Sequence, residues 1–529
     1  MAPDVDRAVA LPARKLERPL LVGLASLVIA VTALLPLLLL TVDFVHDGAA
    51  GIHVLSSPRP WSLLLRSLLL AALVTAGALL LGVPLGAAFA RIRVPMRRAL
   101  FLAHALPMLL PPFLPALGWF HLLGSQGMLG SHATAGVLFS PVGVVLILVL
   151  TFAPVVTSLT ALGVLAVDPS LEEAARIVAR PLRVVTRILV PAASPALLLA
   201  ALLVFSLTLS ELGVPMFLRV DVYPAAVFAR LGGIDYAPGE AAALVLPLIP
   251  VAFCLVAVER RFLGRRMFTV MSLRDASREP LHAGRATPLF AVACLAAATL
   301  STLPIVALML RAARGGGFRD ALTWMDTSPS NSLLSAGLAA TVITTVGVIL
   351  GHGLARRSVS AGFVDGVALL SFFLPSAVLG VGLIAVWNRG PTQLIYGSIV
   401  ILVIGFIARY AVVGIRVFAA AVAQSSLSYE EAAMTSGAGF TRRLLRIVLP
   451  LHRRAAVAAW LLALVFCLRD LETAVLFYPP GGAPLTVRIF TLEANGPPAV
   501  IAALSVIHVG LTLLALLVGW TVLRAGGRS

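Results

Sequence analysis

Twelve separate stretches of this 529-residue chain stay apolar for about 20 residues, the length of helix that crosses a bilayer core. They cover 18–42, 63–90, 99–123, 138–165, 189–211, 240–258, 287–310, 332–355, 363–387, 394–420, 454–477 and 499–523. Each is far longer than a barrel strand and none alternates with a period of two, so an all-α polytopic membrane protein is the fold class left. Composition agrees: 60% of the residues are hydrophobic and 12% charged, where a soluble domain carries about 25% charged. Soluble globular, disordered and disulfide-rich secreted classes are excluded. Cys254, Cys294 and Cys467 all sit in apolar runs and offer neither a disulfide framework nor a metal cluster. The first run, Pro19 to Val42, is too long for the apolar region of a cleavable signal peptide.

Lysine and arginine number 40 against 23 acidic residues, a net charge of +17, and Lys15 is the only lysine. The arginines cluster at the ends of apolar runs, which points to orientation in a lipid bilayer and not to a nucleic-acid partner. With Arg7, Arg14, Lys15 and Arg18 in the cytoplasm, the same side receives Arg91, Arg93, Arg97 and Arg98; Arg176, Arg180, Arg183 and Arg187; seven arginines from Arg260 to Arg285; Arg356 and Arg357; Arg442, Arg443, Arg446 and Arg453; and Arg524 and Arg528. The opposite loops hold only Arg59, Arg219, Arg230, Arg311, Arg314, Arg319, Arg389 and Arg488. Both termini are therefore expected in the cytoplasm, as an even number of spans allows.

The chain also repeats itself. Glu173-Ala174-Ala175 maps onto Glu431-Ala432-Ala433 at an offset of 258, Pro191 onto Pro450 and Glu211-Leu212 onto Asp470-Leu471 at 259, and Pro107 and Trp119 onto Pro375 and Trp387 at 268. Landmarks in one order at nearly one offset divide the chain into two parallel six-span halves. Two architectures of that kind exist, a major-facilitator secondary transporter and a fused permease of an ATP-binding-cassette importer, and they differ in their cytoplasmic loops.

The repeated loop lies before the fifth span of each half. It opens with Ser170-x-x-Glu173 in one copy and Ser428-x-x-Glu431 in the other, the spacing of a capping box, followed by helix-favouring alanines. In the second copy Gly437 can take the left-handed conformation that ends a helix, and a short basic amphipathic helix then leads through Leu449 to Pro450. A helix, a sharp turn and a second helix at the membrane surface are expected twice.

Glu-Ala-Ala, then Gly, then Leu-Pro or Val-Pro resembles the coupling loop of type I ABC importer permeases, which docks into a groove on the cytoplasmic ATPase. In the first copy Ala179 stands where glycine is expected, and the loop is one residue shorter. Residues 106–119, LPMLLPPFLPALGW, and Arg469-Asp470-Leu471-Glu472-Thr473 before LFYPPGG resemble the fused ferric-iron permeases, a pattern shared with thiamine permeases. Asp470 replaces a glutamate of that pattern and Arg469 a lysine, and the resemblance covers about residues 60 to 525. It implies a first half at 1–258 with a five-helix core at about 62–258, a basic cytoplasmic linker at 259–286, and a second half at 287–529 with its core at about 331–523. It further implies two copies of a cytoplasmic ABC ATPase, a periplasmic solute-binding protein, and a multi-pass location in a bacterial inner membrane.

Lys15 has no glycine run before it, so the chain has no Walker site; ATP and Mg belong on the partner ATPase, with no cofactor on this chain and no enzymatic activity of its own. None of the nine histidines is spaced as a metal ligand, and His508, alone in an apolar helix, is expected to be a core hydrogen-bonder. Charges in or at the ends of spans are costly unless they face protein or water. Arg66 is expected to snorkel outward, while Glu211, Arg409, Asp470 and Glu472 are the pathway candidates. Glu211 and Asp470 are repeat-equivalent and follow the fifth span of each half. The expected function is inward transport of a small solute, ferric iron foremost, with thiamine, phosphonate or another cargo behind it. The rival class is an ion-coupled secondary transporter, which gives no reason for paired coupling loops; nor does a non-transporting scaffold.

Overall fold

The computed structural model describes residues 5–46, 53–232, 238–264, 281 and 284–525. Most of the expected linker, including Arg265, Arg266, Arg274 and Arg278, lies outside the described residues, as do Arg528 and the side chains of Arg7, Arg14, Lys15 and Arg524. Every regular element among the described residues is helical. Eight helices are long and apolar enough to cross a membrane, or up to twelve spans if each of four bent pairs counts as one.

In the first part of the chain the helices that position the site are α1 (Glu17–Val42), α2 (Pro58–Arg91), α3 (Arg97–Leu109), α4 (Phe113–Leu123), α5 (Pro141–Leu165), α6 (Pro169–Val178), α7 (Pro181–Ala192), α8 (Ser194–Ser210), α9 (Gly213–Phe217) and α10 (Gly239–Phe262). The second part follows with α11 (Gly284–Arg314), α12 (Ser328–Ala355), α13 (Val359–Phe373), α14 (Ser376–Trp387), α15 (Ile399–Ala423), α16 (Ser428–Thr435), α17 (Phe440–Leu451), α18 (Arg453–Arg469), α19 (Glu472–Phe477) and α20 (Pro498–Val522).

The runs at 99–123 and 363–387, expected as continuous spans, are each two helices: α3 and α4 meet at 106°, α13 and α14 at 112°. Proline dictates both breaks. Leu110 and Leu374 precede Pro111 and Pro375 and take extended backbone, at ψ 153° and 136°, because a following proline ring disfavours the helical region. The runs at 189–211 and 454–477 also divide. Their membrane helices are α8 and α18, entered through bends of 65° and 81° from α7 and α17. The second run stops at Arg469, since Asp470 turns the chain into α19.

Each half centres on three helices packed together, α2, α5 and α8 in one and α12, α15 and α18 in the other. Small residues let the backbones approach: a β-carbon on Gly347 would sit 2.8 Å from the Gly414 Cα. The leading helix of each half crosses over. α1 lies on α12, α13 and α14 of the second half, whereas α11 lies on α3 and α4 of the first.

Candidate functional site

Both repeated loops form the expected helix, turn and helix, but their starts differ from expectation. Ser170 does not cap α6: Asp168 does, accepting from the Ser170 amide at 2.9 Å ahead of Pro169. Aspartate at the cap with proline at the first helical position is the stronger start signal. Ser428 is the first residue of α16 and its amide donates to Ser426 Oγ at 3.2 Å. A capping box therefore forms in neither copy.

The two turns are also built differently. Gly437 has φ +77°; its amide donates to the Met434 carbonyl and that of Ala438 to the Ala433 carbonyl, both at 2.9 Å, closing α16 in a Schellman motif. Ala179 is extended, at φ −137° and ψ 148°. The first loop escapes its helix through Arg180-Pro181 and has no position that calls for glycine. The second helices then converge. Each holds a π turn, Val185–Leu189 or Leu444–Val448, just before Pro191 or Pro450. The widened turn accommodates a ring that cannot donate to the preceding turn. Both prolines are exposed, and Leu449 packs half-buried against Val448 and Leu444.

The Glu-Ala-Ala glutamates singled out in the sequence, Glu173 and Glu431, are exposed, as are Ala174 and Ala432; Ala175 is buried and Ala433 half-buried. The residue before each glutamate anchors the loop. Glu172 is buried and forms an ion pair with Arg91, the last residue of α2. Glu430 is buried between Arg356 Nη2 and His352 Nε2, each at 2.8 Å, at the matching end of α12. Burial alone lifts a carboxyl pKa, but the hydrogen bond from His352 and the charge of Arg356 hold Glu430 down at about 2. Each loop is thus bolted to the second span of its half. Arg91 and Arg356 counted in the sequence only as orientation marks; their recurrence opposite a recurring Glu-Glu pair was the available signal. The loops turn apolar side chains outward: Ile177 is 86% and Val178 83% exposed, Tyr429 60% and Met434 56%.

The four pathway candidates meet in one place. Glu211, Arg409, Asp470 and Glu472, with Arg469 and Tyr410, surround an internal cavity of about 20 Å3. Glu211 follows α8 and its Oε1 accepts from the Val214 amide at 3.0 Å; Asp470 follows α18 and its Oδ1 accepts from the Thr473 amide at 2.9 Å. The repeat-equivalent carboxylates thus cap the starts of α9 and α19. Arg409 Nη1 lies 3.3 Å from both Asp470 Oδ2 and Glu472 Oε2, and the Tyr410 hydroxyl donates to Asp470 at 2.8 Å. Arg469, which the sequence reading left aside, donates to the Met108 carbonyl at 2.6 Å, beside the break between α3 and α4. Charge from the second half thereby closes on half-buried backbone of the first. Beyond this layer α9 and α19 present Met216, Phe217, Val475 and Leu476 to a larger cavity of about 630 Å3.

A further buried network joins Arg416 of α15 to Asp365 of α13, at 2.8 Å, and to Glu259 of α10, at 2.6 Å. Arg66 is exposed on α2. His508 is not the hydrogen-bonder it was expected to be: it is fully buried and neither ring nitrogen has a partner among the described residues. His104 takes that role, between Ser301 at 2.9 Å and Thr157 at 3.1 Å. Among the described residues no group of three or more His, Cys, Asp or Glu side chains is placed to hold a metal ion.

Fold and site together define a polytopic membrane protein of two like halves, each carrying a bolted surface loop. No family model matches the chain. A protein of Actinobacillus pleuropneumoniae named ferric transport system permease protein is 24% identical over 455 residues, 79% of this chain and 65% of the relative. One of Haemophilus influenzae with a ferric transport system permease name is 25% identical over 391 residues, 67% of this chain and 60% of the relative. One of Salmonella choleraesuis, named for a 2-aminoethylphosphonate transport system permease, is 32% identical over 233 residues, 40% of this chain and 82% of the relative. The chain belongs to this family, the transport-system permeases of ABC importers. It spans 60% to 65% of the length of the two ferric relatives.

Proposed function

We propose that the chain is the permease subunit of a binding-protein-dependent ABC importer in a bacterial inner membrane, with both termini cytoplasmic. It carries a small solute inward through a path between its halves, 1–258 and 287–529, joined by the linker 259–286. Two copies of a cytoplasmic ATPase dock on the loops around Glu173 and Glu431, and a periplasmic protein delivers the cargo. ATP and Mg act on the ATPase, and this chain binds no cofactor. The observation that carries the reading is the pair of loops, each bolted to its second span and each showing apolar side chains outward. A force on such a loop reaches α2 or α12 through a buried ion pair and α8 or α18 through the bend at its end. The charged layer at Arg409, Glu211, Asp470 and Glu472 is the closed part of the path.

Ferric iron is the favoured cargo, on the resemblance and on the ferric names of two relatives. The phosphonate names, at higher identity over shorter stretches, favour 2-aminoethylphosphonate as the second reading. Uptake of radiolabelled iron and phosphonate by cells lacking the gene, then complemented with it, separates the two. Single cysteines placed in 166–188 and 421–453 should resist a membrane-impermeant thiol reagent in intact cells. Ready labelling there would invert the orientation and remove the docking argument.

A further inference from the structure

Each loop is held not only by its own half but by a segment from outside that half. α17, which follows the second loop, begins after Gly439, a cap position with no side chain to offer. The missing acceptor comes from the far end of the chain: Glu17 Oε2 accepts from the Thr441 amide at 3.1 Å. Glycine makes this possible, because a β-carbon at 439 would sit 2.7 Å from that same oxygen. One turn further along α1, Leu21 packs onto the cluster of Phe440, Leu444 and Val448 under the loop. The first loop has a counterpart. Leu281, from the stretch between the halves, is buried among Ala175, Val184, Val185 and Leu189, with its amide on the Arg91 carbonyl and its carbonyl on the Arg93 amide.

We propose that Glu17 is a positioning residue for the second ATPase-docking loop, capping from α1 the helix into which that loop turns. The proposal rests on the docking reading above. A carboxylate at the second amide of a helix meets an unsatisfied donor and the positive end of the helix dipole at once. Removing it frees the start of α17 and leaves the apolar face of α16 less firmly aimed. The tie of the first loop to Leu281 runs through backbone and an apolar side chain and carries no such charge.

The test uses the full-length permease with its ATPase in lipid nanodiscs, and variants Glu17→Ala, Glu17→Gln, Gly439→Ala and the double Glu17→Ala/Gly439→Ala. Gly439 has φ −63° and ψ 170°, open to alanine, so Gly439→Ala acts by expelling the carboxylate. Glu17→Ala and Gly439→Ala should each weaken ATPase binding about five-fold, the size of one lost cap. The double variant should be no worse than either single one. Glu17→Gln should fall between, since its amide oxygen still accepts but carries no charge. Hydrogen exchange at the Thr441 amide should quicken in the alanine variants. Additive losses, unchanged Thr441 exchange, or unchanged binding in Glu17→Ala would overturn the proposal. Met434→Asp on the outward face of the loop separates the two ideas. If it binds the ATPase normally, the docking reading falls and this proposal with it; if it alone disrupts binding, only the role of Glu17 is refuted.

Discussion

Replacing Glu172 with glutamine should unseat the first loop far more than replacing its neighbour Glu173, although the neighbour belongs to the sequence signature. Glu172 is the charged partner of Arg91, whose side chain is 2% exposed and whose Nε and Nη1 have no hydrogen-bond partner among the described residues. Neutralising one member of a buried pair costs about 3–5 kcal/mol, because the other charge stays behind uncompensated. At about 1.4 kcal/mol per tenfold, that opens the loop a hundredfold or more. In the second half Arg356 keeps 18% of its side chain exposed and can turn toward water. Glu430→Gln should therefore cost less, about 2 kcal/mol and about thirty-fold in opening. Exposed Glu173→Gln and Glu431→Gln should stay within about 0.5 kcal/mol. Hydrogen exchange of the amides at 170–178 and 428–435, in protein purified in detergent without an ATPase, reads these openings directly. Equal exchange in Glu172→Gln and Glu173→Gln would refute the reasoning, as would a larger effect from Glu431→Gln than from Glu430→Gln.

Gly437→Val should cut co-purification of the ATPase, since a β-branched residue at φ +77° costs more than about 1 kcal/mol, while Ala179→Val, in extended backbone, should leave it intact; equal losses would show that turn geometry does not govern docking. With its pKa held at about 2 against an ordinary 4.5, Glu430 contributes stability above about pH 4.5 that is lost only as pH falls toward about 2. Its carboxylate infrared band, assigned by difference with Glu430→Gln, should persist at pH 3.5, and its loss by pH 4.5 would contradict the bolted geometry. The double change Glu211→Gln/Asp470→Asn should impair uptake while insertion and ATPase binding survive, because both carboxylates sit in the charged layer and neither touches the loops; normal uptake would reduce them to local caps. Glu259→Gln should lower the thermal midpoint by taking one carboxylate from the buried Arg416, and an unchanged midpoint would show that the tie between α10 and α15 adds no stability.

Helix positions were legible because the bilayer imposes one length on every apolar run. The breaks at Leu110 and Leu374 were legible only in principle: the prolines were visible, but proline is tolerated in membrane helices often enough that it does not announce a turn of 106° or 112°. The repeat singled out Glu173 and Glu431, whereas the buried carboxylates that anchor the two loops are their neighbours Glu172 and Glu430. Helical periodicity alone does not say which of Glu172 and Glu173 faces inward, and the answer depends on Arg91, 81 residues earlier. The glycine rule held at Gly437 and had no bearing at Ala179, where the chain leaves its helix by another route. Offset arithmetic paired Glu211 with Asp470, yet nothing in spacing revealed that both would reach one cavity, or that Arg469 would close onto Met108.

The crossing of α1 onto the second half also fixes an order in time. Glu17 leaves the ribosome 424 residues before Thr441, which at about 5–20 residues per second is an interval of about 20 to 85 seconds. For most of that interval, until α12 begins at Ser328, α1 waits in the bilayer with lipid on the faces later taken by α12, α13 and α14. The second loop cannot reach its final seating until Glu17 and Thr441 have both been made, so a ribosome that stalls before Ser328 leaves a first helix committed to the membrane and still without these neighbours.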